Sequence, residues 1–219
     1  MENLVKSKFN WRLIMMACIG LLFIGEFFGN AYLGTLYPAY NWKTDSISYL
    51  GQQNSPVLHY VQLWGICFNV LYILIGFAFY SSFTQKSLLV KIVSVLFVVY
   101  GLGEGLGSSF FPINDKGTEL TQSAIFHNLF GGFADVALYS IPVLMLFEFT
   151  KEKHKRFHDN TYSLLALAII ACFIFLIAKY FHIDNGVFTY RGFWQRVFLL
   201  CFYIYFFMLA NKLPKPLKG

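Results

Sequence analysis

Charged residues are scarce in this sequence. They make up 13% of the 219 residues, whereas 57% of the residues are hydrophobic and 20% are aromatic. An ordinary soluble domain carries about 25% charged residues, and the mean hydropathy of this chain is +0.56. The combination excludes a soluble globular domain and indicates an integral membrane protein.

Paired cysteines and short catalytic motifs are also missing. The four cysteines are isolated within apolar runs, and no C-x-x-C pair occurs. This excludes a disulfide scaffold, and we expect the cysteines to be small buried hydrophobic residues. No H-E-x-x-H zinc motif is present, and no nucleophile-elbow motif surrounds a serine. Any functional site must therefore be assembled from residues that are distant in the chain.

The basic residues lie in short segments between the apolar runs. The formal net charge is +6, a value that nucleic-acid-binding proteins also reach. Lys and Arg residues confined to loops and tails between apolar runs are instead the topology signal of a membrane protein. We therefore expect no nucleic-acid partner.

Six apolar segments are long enough to span a bilayer, which takes about 20 residues in a helix. They cover residues 11–33, 57–79, 89–111, 123–146, 163–181 and 192–210. The first is preceded by basic residues like a signal peptide, but its long apolar run predicts a retained span. The sequence thus predicts an all-α polytopic membrane protein, a six-transmembrane-helix bundle that forms a single domain over residues 1–219.

The distribution of Lys and Arg residues predicts the orientation. One side of the membrane would receive Lys6, Lys8, Arg12, Lys86, Lys91, Lys151, Lys153, Lys155, Arg156, Lys212, Lys215 and Lys218. The opposite loops hold Lys43, Lys116 and Arg191 only. By the positive-inside rule, both termini are cytoplasmic, and we expect the protein in the bacterial cytoplasmic (inner) membrane.

The ionisable residues inside the spans gather in the half that faces away from the cytoplasm. From the helix rise, Glu26, Glu104, His127 and Arg196 lie roughly 5–10 Å inside the outer boundary. The same layer contains His59, Gln62, Lys179 and His182, and Asn69 and Asp135 lie deeper. Such groups are costly in a bilayer and need partners or water. We therefore predict an outward-facing polar cavity with Asn69 and Asp135 at its floor.

Residue spacing supports helices that face one another around this cavity. Glu26 shares a helix face with Asn30, and Glu104 shares one with Ser108. The pairs Gly101–Gly105 and Gly103–Gly107 are small-xxx-small patterns, which let a neighbouring helix approach Glu104 closely. A weak echo links the first and third spans, since a glutamate upstream of each outer loop is followed by a histidine in the next span.

Several kinds of chemistry remain open for these residues. For catalysis the candidates are His127, Glu104, Glu26, Asp135 and Arg196, with His127 as a general base oriented by a carboxylate. The candidate substrate-binding residues are His59, Gln62, Asn30, Asn69, Asn128, Ser108, Lys179 and His182. A metal could be held by His59, His127 and His182 together with Asp45, Asp115 and Asp135. The same charged groups could also only neutralise one another between helices, and the sequence names no cofactor.

Three further pieces carry a family resemblance. They are the segment from Asp45 to Gly51, which reads Asp-Ser-Ile-Ser-Tyr-Leu-Gly, then Phe111-Pro112 with Asp115, and His127 at the start of the fourth span. Together they resemble the bacterial integral-membrane family called domain of unknown function 998, over nearly the whole chain. The resemblance implies a membrane fold with six or seven spans and no particular reaction. The family pattern resembles an Asp-Leu-Gly ending, whereas this chain has Tyr49 before Leu50-Gly51.

The sequence leaves two classes of function. In the first, the cavity binds a lipid headgroup or small amphiphile and acts on it as a hydrolase or transferase. In the second, the chain is a non-catalytic membrane subunit or sensor, or a small-molecule or proton-coupled transporter. Membrane lipids are the expected partners in the first class, and a membrane-protein partner or a second copy of the chain in the second.

Overall fold

The computed structural model describes residues 10–115, 118–181, 183 and 185–213. Within these ranges, six helices are long and apolar enough to cross a membrane, and no β-strand occurs. They are α1 (Trp11–Thr35), α2 (Leu58–Ser81), α3 (Leu88–Ser108), α4 (Gln122–Glu148), α5 (Lys151–Tyr180) and α6 (Gly186–Ala210). The expected all-α fold with six membrane-spanning helices is confirmed.

Side-chain caps set the start of three helices. The Asn10 side chain accepts a hydrogen bond from the Leu13 amide at the start of α1. Ser87 accepts one from Val90 at the start of α3, and Thr121 caps α4 in the same way. These caps satisfy amide groups that have no partner within the helix, so the helices begin close to where the apolar runs begin.

The fifth span is longer than the sequence predicts. The basic residues before position 163 favour a solvated loop, but α5 begins at Lys151 and its backbone is distorted only at His154. Phe157 and His158 are buried, and the His158 imidazole Nε2 donates to the Phe149 carbonyl. A solvated loop over these residues would leave His158 exposed, whereas its burial together with Phe157 anchors the first turns of α5.

The helices form an incomplete ring. In chain order, α1 packs on α2, α2 on α3 and α3 on α4, and α6 packs on both α5 and α1. In contrast, α4 and α5 make few contacts with each other. This leaves a gap in the ring between α4 and α5.

Different contacts hold the helices together at each end of the bundle. At one end, Arg12 at the start of α1 donates to Asn211 after α6, and Ser87 donates to Glu148 at 2.6 Å. At the other end, the loop 36–57 meets the segment after α3 through a bridge between Gln52 and Ile113. We call this second end the loop end, and the site lies beneath it.

Aromatic rings fill much of the core. The Tyr72 ring contacts those of Tyr100 and Phe68, with centroids 4.7 Å and 4.8 Å away. Phe206 of α6 lies 5.3 Å from Phe97 of α3. Contacts of this kind stabilise helix packing where neighbouring lipid provides no hydrophobic driving force.

Candidate functional site

A cavity of about 800 Å³ lies inside the ring, on the side of the gap between α4 and α5. It is lined by α1, α3, α4, α5, α6 and the turn Ile47–Gly51, and α2 contributes no lining residue. The polar residues that line it are Glu26, Ser48, Tyr100, Glu104, Ser108, His127, Asn128, Asp135, Tyr139, Ser140, Lys179, Tyr180 and Gln195. We call it the main cavity.

Two π-helical segments position the two glutamates. Glu26 lies in Ile24–Gly29 of α1, and Glu104 lies in Gly101–Ser108 of α3. A π-helical turn contains one more residue per hydrogen-bonded ring than an α-helical turn, and such turns are frequent at functional sites. Each segment shifts the helix register near the loop end and presents its glutamate to the main cavity.

The glycines of α3 bring two other helices against it. A Cβ built on Gly65 of α2 would overlap the Gly105 carbonyl oxygen, so these backbones touch. On the other face, a Cβ on Gly103 would lie 2.9 Å from the Phe130 carbonyl oxygen of α4. Close approach on both faces agrees with the small-xxx-small prediction. Glu104, between these faces, is the charged side chain of the segment that reaches the main cavity.

Each glutamate has a weak polar neighbour four residues later. Asn30 Nδ2 donates to Glu26 Oε1 at 3.3 Å, and Ser108 Oγ donates to Glu104 Oε2 at 3.3 Å. The indole Nε1 of Trp64 also lies beside Glu26, but without the geometry of an ordinary hydrogen bond. Both carboxylates therefore keep capacity to accept hydrogen bonds from the main cavity.

The imidazole of His127 has a fixed orientation. Its Nδ1 lies 2.7 Å from the Ser108 carbonyl oxygen and 3.0 Å from that of Phe111. Carbonyl oxygens only accept, so Nδ1 carries the hydrogen, and in the neutral ring Nε2 has the lone pair. The orienting groups are thus backbone carbonyls at the end of α3, which corrects the expectation of a carboxylate.

Asp135 and Lys179 face each other across the gap between α4 and α5. Lys179 Nζ donates to Asn128 Oδ1 at 2.9 Å and lies near enough to attract the carboxylates of Asp135 and Glu104. Its ammonium also lies 5.3 Å from the centre of the Tyr180 ring. The main cavity therefore combines three carboxylates from three helices with one lysine among the described residues.

The loop 36–57 covers the loop end of the main cavity. Ile47 and Ser48 line the cavity, and the Ile47 amide donates to Gln195 Oε1 at 2.7 Å. Within the loop, Asp45 accepts a hydrogen bond from the Asn41 amide at 2.8 Å. Arg191 Nε donates to the Thr44 carbonyl at 2.9 Å. The Asp45–Gly51 motif thus shapes a cover that is fastened to α6.

Arg196 fastens the same loop and does not line the main cavity. Its guanidinium donates to the carbonyls of Trp42 and Gly192 at 2.9 Å and to the Tyr40 hydroxyl at 2.6 Å. Burial raises the pKa of Tyr40 while the guanidinium opposes this shift, so the hydroxyl stays protonated at neutral pH and accepts this bond. Arg196 therefore holds the loop 36–57 on α6 from outside the lining of the main cavity.

The main cavity has two approaches. A second cavity of about 370 Å³ shares Ser48, Asn128 and Lys179 with it and extends between the loops toward Arg191. Sideways, the lining residues Val136, Val143 and Leu176, which flank the gap between α4 and α5, are 65%, 44% and 37% exposed. The main cavity thus has a lateral opening at the gap between α4 and α5, within the apolar spans of these two helices.

The sequence-predicted residues divide into two groups. Seven of them line the main cavity: Glu26, Ser108, Glu104, His127, Asn128, Asp135 and Lys179. Asn30 lies behind Glu26, and His182 lies outside the described residues. His59, Gln62 and Asn69 are not in the lining because α2 packs behind α3, where Asn69 is buried against Gly105. Asp135 lines the main cavity, but the lining continues past it to Val143 and Leu144, so Asn69 and Asp135 do not form the predicted floor.

Sequence reasoning missed several residues that line the main cavity. Gln195 holds the cover, and Tyr100, Tyr139 and Cys172 line the main cavity deeper in the bundle. The position of Gln195, one residue before Arg196 in an apolar span, is a usable signal, since a buried amide there needs a partner. The tyrosines and the cysteine lie in apolar runs that give no such signal.

The described residues do not form a group of three or more His, Cys, Asp or Glu side chains that could hold a metal ion. His59 is exposed on α2, and Asp115 bonds Asn54. The Asp45 carboxylate accepts a hydrogen bond from the Asn41 amide within the loop 36–57. The proposed ligands therefore lie apart wherever the structure describes them.

Six spanning helices around a cavity with a lateral opening define this chain as a multi-pass helical membrane protein. It belongs to the family of proteins of unknown function called DUF998, whose model matches residues 16–212. This confirms the resemblance seen in the sequence. No curated protein and no solved structure matches the chain.

Proposed function

We propose that the main cavity binds a membrane amphiphile, with its head group among the polar residues and its chain in the lateral opening. One observation carries the proposal: the same cavity holds Glu26, Glu104 and Asp135 and also opens sideways at exposed apolar residues of α4 and α5. A water-soluble ligand would need no opening of this kind, and a purely structural ion-pair network would need no volume.

The shape of the main cavity supports this division. Ser108, His127 and Asn128 lie toward the loop end, because they follow or precede the loops that connect α3 with α4. Leu144 and Val143 of α4 line the cavity about four turns further along the same helix. A cavity of about 800 Å³ is within the range of small-molecule sites, roughly 300–1,000 Å³.

The distribution of basic residues supports an orientation. The basic segments flank the ends of the bundle opposite the loop end, as the contact of Arg12 with Asn211 illustrates. The positive-inside rule then directs the loop end, and with it the head-group part of the main cavity, away from the cytoplasm.

Hydrolysis or group transfer is a second candidate, and His127 favours it. Its Nε2 faces no described hydrogen-bond partner, and the ring is buried with 7% of its surface exposed. A base in this position could take a proton from water as it attacks an ester of the bound amphiphile, and return it to the leaving alkoxide. A His127→Gln variant that binds like wild type but loses turnover would support this candidate.

The binding proposal is tested by filling the lateral opening. Gly132 lines the main cavity, and a Cβ there would meet no atom within 4 Å. We expect Gly132→Phe to fold and to lose the amphiphile that wild-type protein retains, as measured by native mass spectrometry of the detergent-purified chain. The matched control is Gly20→Phe, since Gly20 also has open space at its Cβ but lies outside the cavity lining.

Two outcomes would overturn the binding proposal. One is wild-type protein that retains no amphiphile after purification in mild detergent. The other is an equal loss of retained amphiphile in the Gly20→Phe and Gly132→Phe variants.

A further inference from the structure

We propose that the head group recognised by the main cavity is a positively charged amine, an inference that rests on the proposed binding function. The first support is the inventory of charge. Glu26 of α1, Glu104 of α3 and Asp135 of α4 all line the cavity, whereas its described cationic side chain is Lys179. One lysine can pair with at most one of the three acidic side chains, and in a bilayer the other two must either be protonated or meet a positive ligand. In both cases their oxygens accept hydrogen bonds, which an ammonium head group donates.

The second support is the buried imidazole of His127, which is independent of the carboxylates. The ring is 7% exposed, lines the main cavity, and uses Nδ1 for the carbonyls of Ser108 and Phe111. No hydrogen bond joins Nε2 to a described residue, so this nitrogen of a largely buried ring stays open as an acceptor for a ligand in the main cavity. An ammonium group supplies up to three N–H donors, which suits an acceptor-rich site.

Two of the strongest donors that line the main cavity, Lys179 and Tyr139, already have acceptors in the protein. Lys179 Nζ donates to Asn128 Oδ1 at 2.9 Å. The hydroxyl of Tyr139 donates to the Ala168 carbonyl at 3.0 Å. Arg196, which the sequence places in the same layer, donates three bonds around the loop 36–57. An anionic phosphate group would therefore find a single committed cation, whereas phosphate sites present clusters of Arg and Lys or helix N-termini.

Aromatic rings in the polar part of the main cavity would stabilise a bound cation. Phe175 and Tyr180 line it, and the Lys179 ammonium already lies 5.9 Å and 5.3 Å from their ring centres. Tyr100 and Tyr139 line it as well. Aromatic faces attract ammonium groups, most strongly where water is excluded.

The test uses three photoactivatable dodecyl amphiphiles that differ only in their head group, which is an amine, a phosphate or a maltoside. Each carries a diazirine in the chain and is photolysed with full-length protein in proteoliposomes. Peptide mapping then compares labelling of the lining residues Val136 and Leu176 with labelling of Phe173, which is 63% exposed on the outer side of α5. We expect the amine probe to exceed the other two by about tenfold at the lining residues.

Neutral variants check that the carboxylates cause this preference. Glu104→Gln combined with Asp135→Asn is expected to bring the amine-to-maltoside ratio close to one. Glu26→Gln, a single change in another helix, should lower the ratio in the same direction. Glu152→Gln is the matched control, because Glu152 is exposed on α5 and lies outside the lining.

Equal labelling by the three probes at the lining residues, or a preference for phosphate, would overturn the amine proposal and leave amphiphile binding intact. Labelling confined to outer residues such as Phe173 for all three probes would overturn both. An unchanged amine preference in both carboxylate variants would also overturn the amine proposal.

Discussion

The two π-helical segments have the same role in the site, but one is exposed and the other is buried between helices. Ile24–Gly29 of α1 and Gly101–Ser108 of α3 each present a glutamate to the main cavity. In α3 the glycines of the segment are buried between α2 and α4. In α1 no residue of the segment is buried, and Ile24 and Phe28 are exposed.

This difference assigns different mechanical properties to the two glutamates. Glu104 is held by backbone-to-backbone contacts, since Gly105 meets Gly65 and Gly103 meets Phe130. Near Glu26 the close contact is with a side chain, because the Trp64 ring packs on Gly25. Side chains can change rotamer, whereas packed backbones cannot move independently. Glu104 is therefore the fixed member of the site, and Glu26 is the adjustable one.

The largest effect is expected from Gly105→Ala. The new Cβ would lie 2.7 Å from the Gly65 carbonyl oxygen and 3.0 Å from the Asn69 amide nitrogen, and both are backbone atoms. Overpacking of this kind costs about 1–3 kcal/mol, which should appear as a lower unfolding temperature in detergent. Gly29→Ala is the matched control, because its Cβ would meet nothing within 4 Å. Equal stability of the two variants would remove the contrast between the segments.

The α3 segment is also the part of the site that the sequence predicts best. Glycines spaced four apart on two faces, with a carboxylate between them, have few physical explanations inside an apolar span. The six spans follow from length and hydropathy in the same way. A residue type that is energetically unfavourable inside an apolar span therefore allows a structural prediction from its spacing alone.

Other parts of the site could not be predicted because they depend on which helices are neighbours. A π-helical turn changes which side of a helix the following residues face, and sequence spacing does not show where such a turn occurs. Only the structure therefore shows that Glu26 and Glu104 face the same cavity. Depth in the span favours a ligand contact for Arg196, but depth does not show that the loop 36–57 folds back to accept its hydrogen bonds. The α2 residues His59, Gln62 and Asn69 also have the depth expected of cavity residues. They do not line the main cavity, because α2 packs behind α3.

A smaller effect is expected from Gly25→Ala in α1. Its Cβ would overlap the Trp64 ring, so this side chain must move. We expect a loss of about 1 kcal/mol, less than for Gly105→Ala, because a rotamer change relieves the clash. In a double-mutant cycle, Trp64→Leu should remove most of the destabilisation that Gly25→Ala causes. An effect of Gly25→Ala as large as that of Gly105→Ala would show that the α1 segment is equally rigid.

The smallest effect concerns the two residues that donate to the glutamates. Asn30 and Ser108 each lie 3.3 Å from a carboxylate oxygen four residues earlier. Removing such a bond costs about 0.5–1.5 kcal/mol, so Asn30→Ala and Ser108→Ala should change the unfolding temperature only slightly.

Their local effects should nevertheless differ, and hydrogen exchange measured by mass spectrometry can resolve them. Asn30→Ala leaves Glu26 held mainly by the packing of Trp64 on Gly25, so we expect faster exchange within Ile24–Gly29. Ser108→Ala leaves the glycine contacts of α3 in place, so exchange within Gly101–Ser108 should stay as in the wild type. Faster exchange in both segments would mean that side-chain hydrogen bonds, and not helix packing, hold Glu104 toward the main cavity.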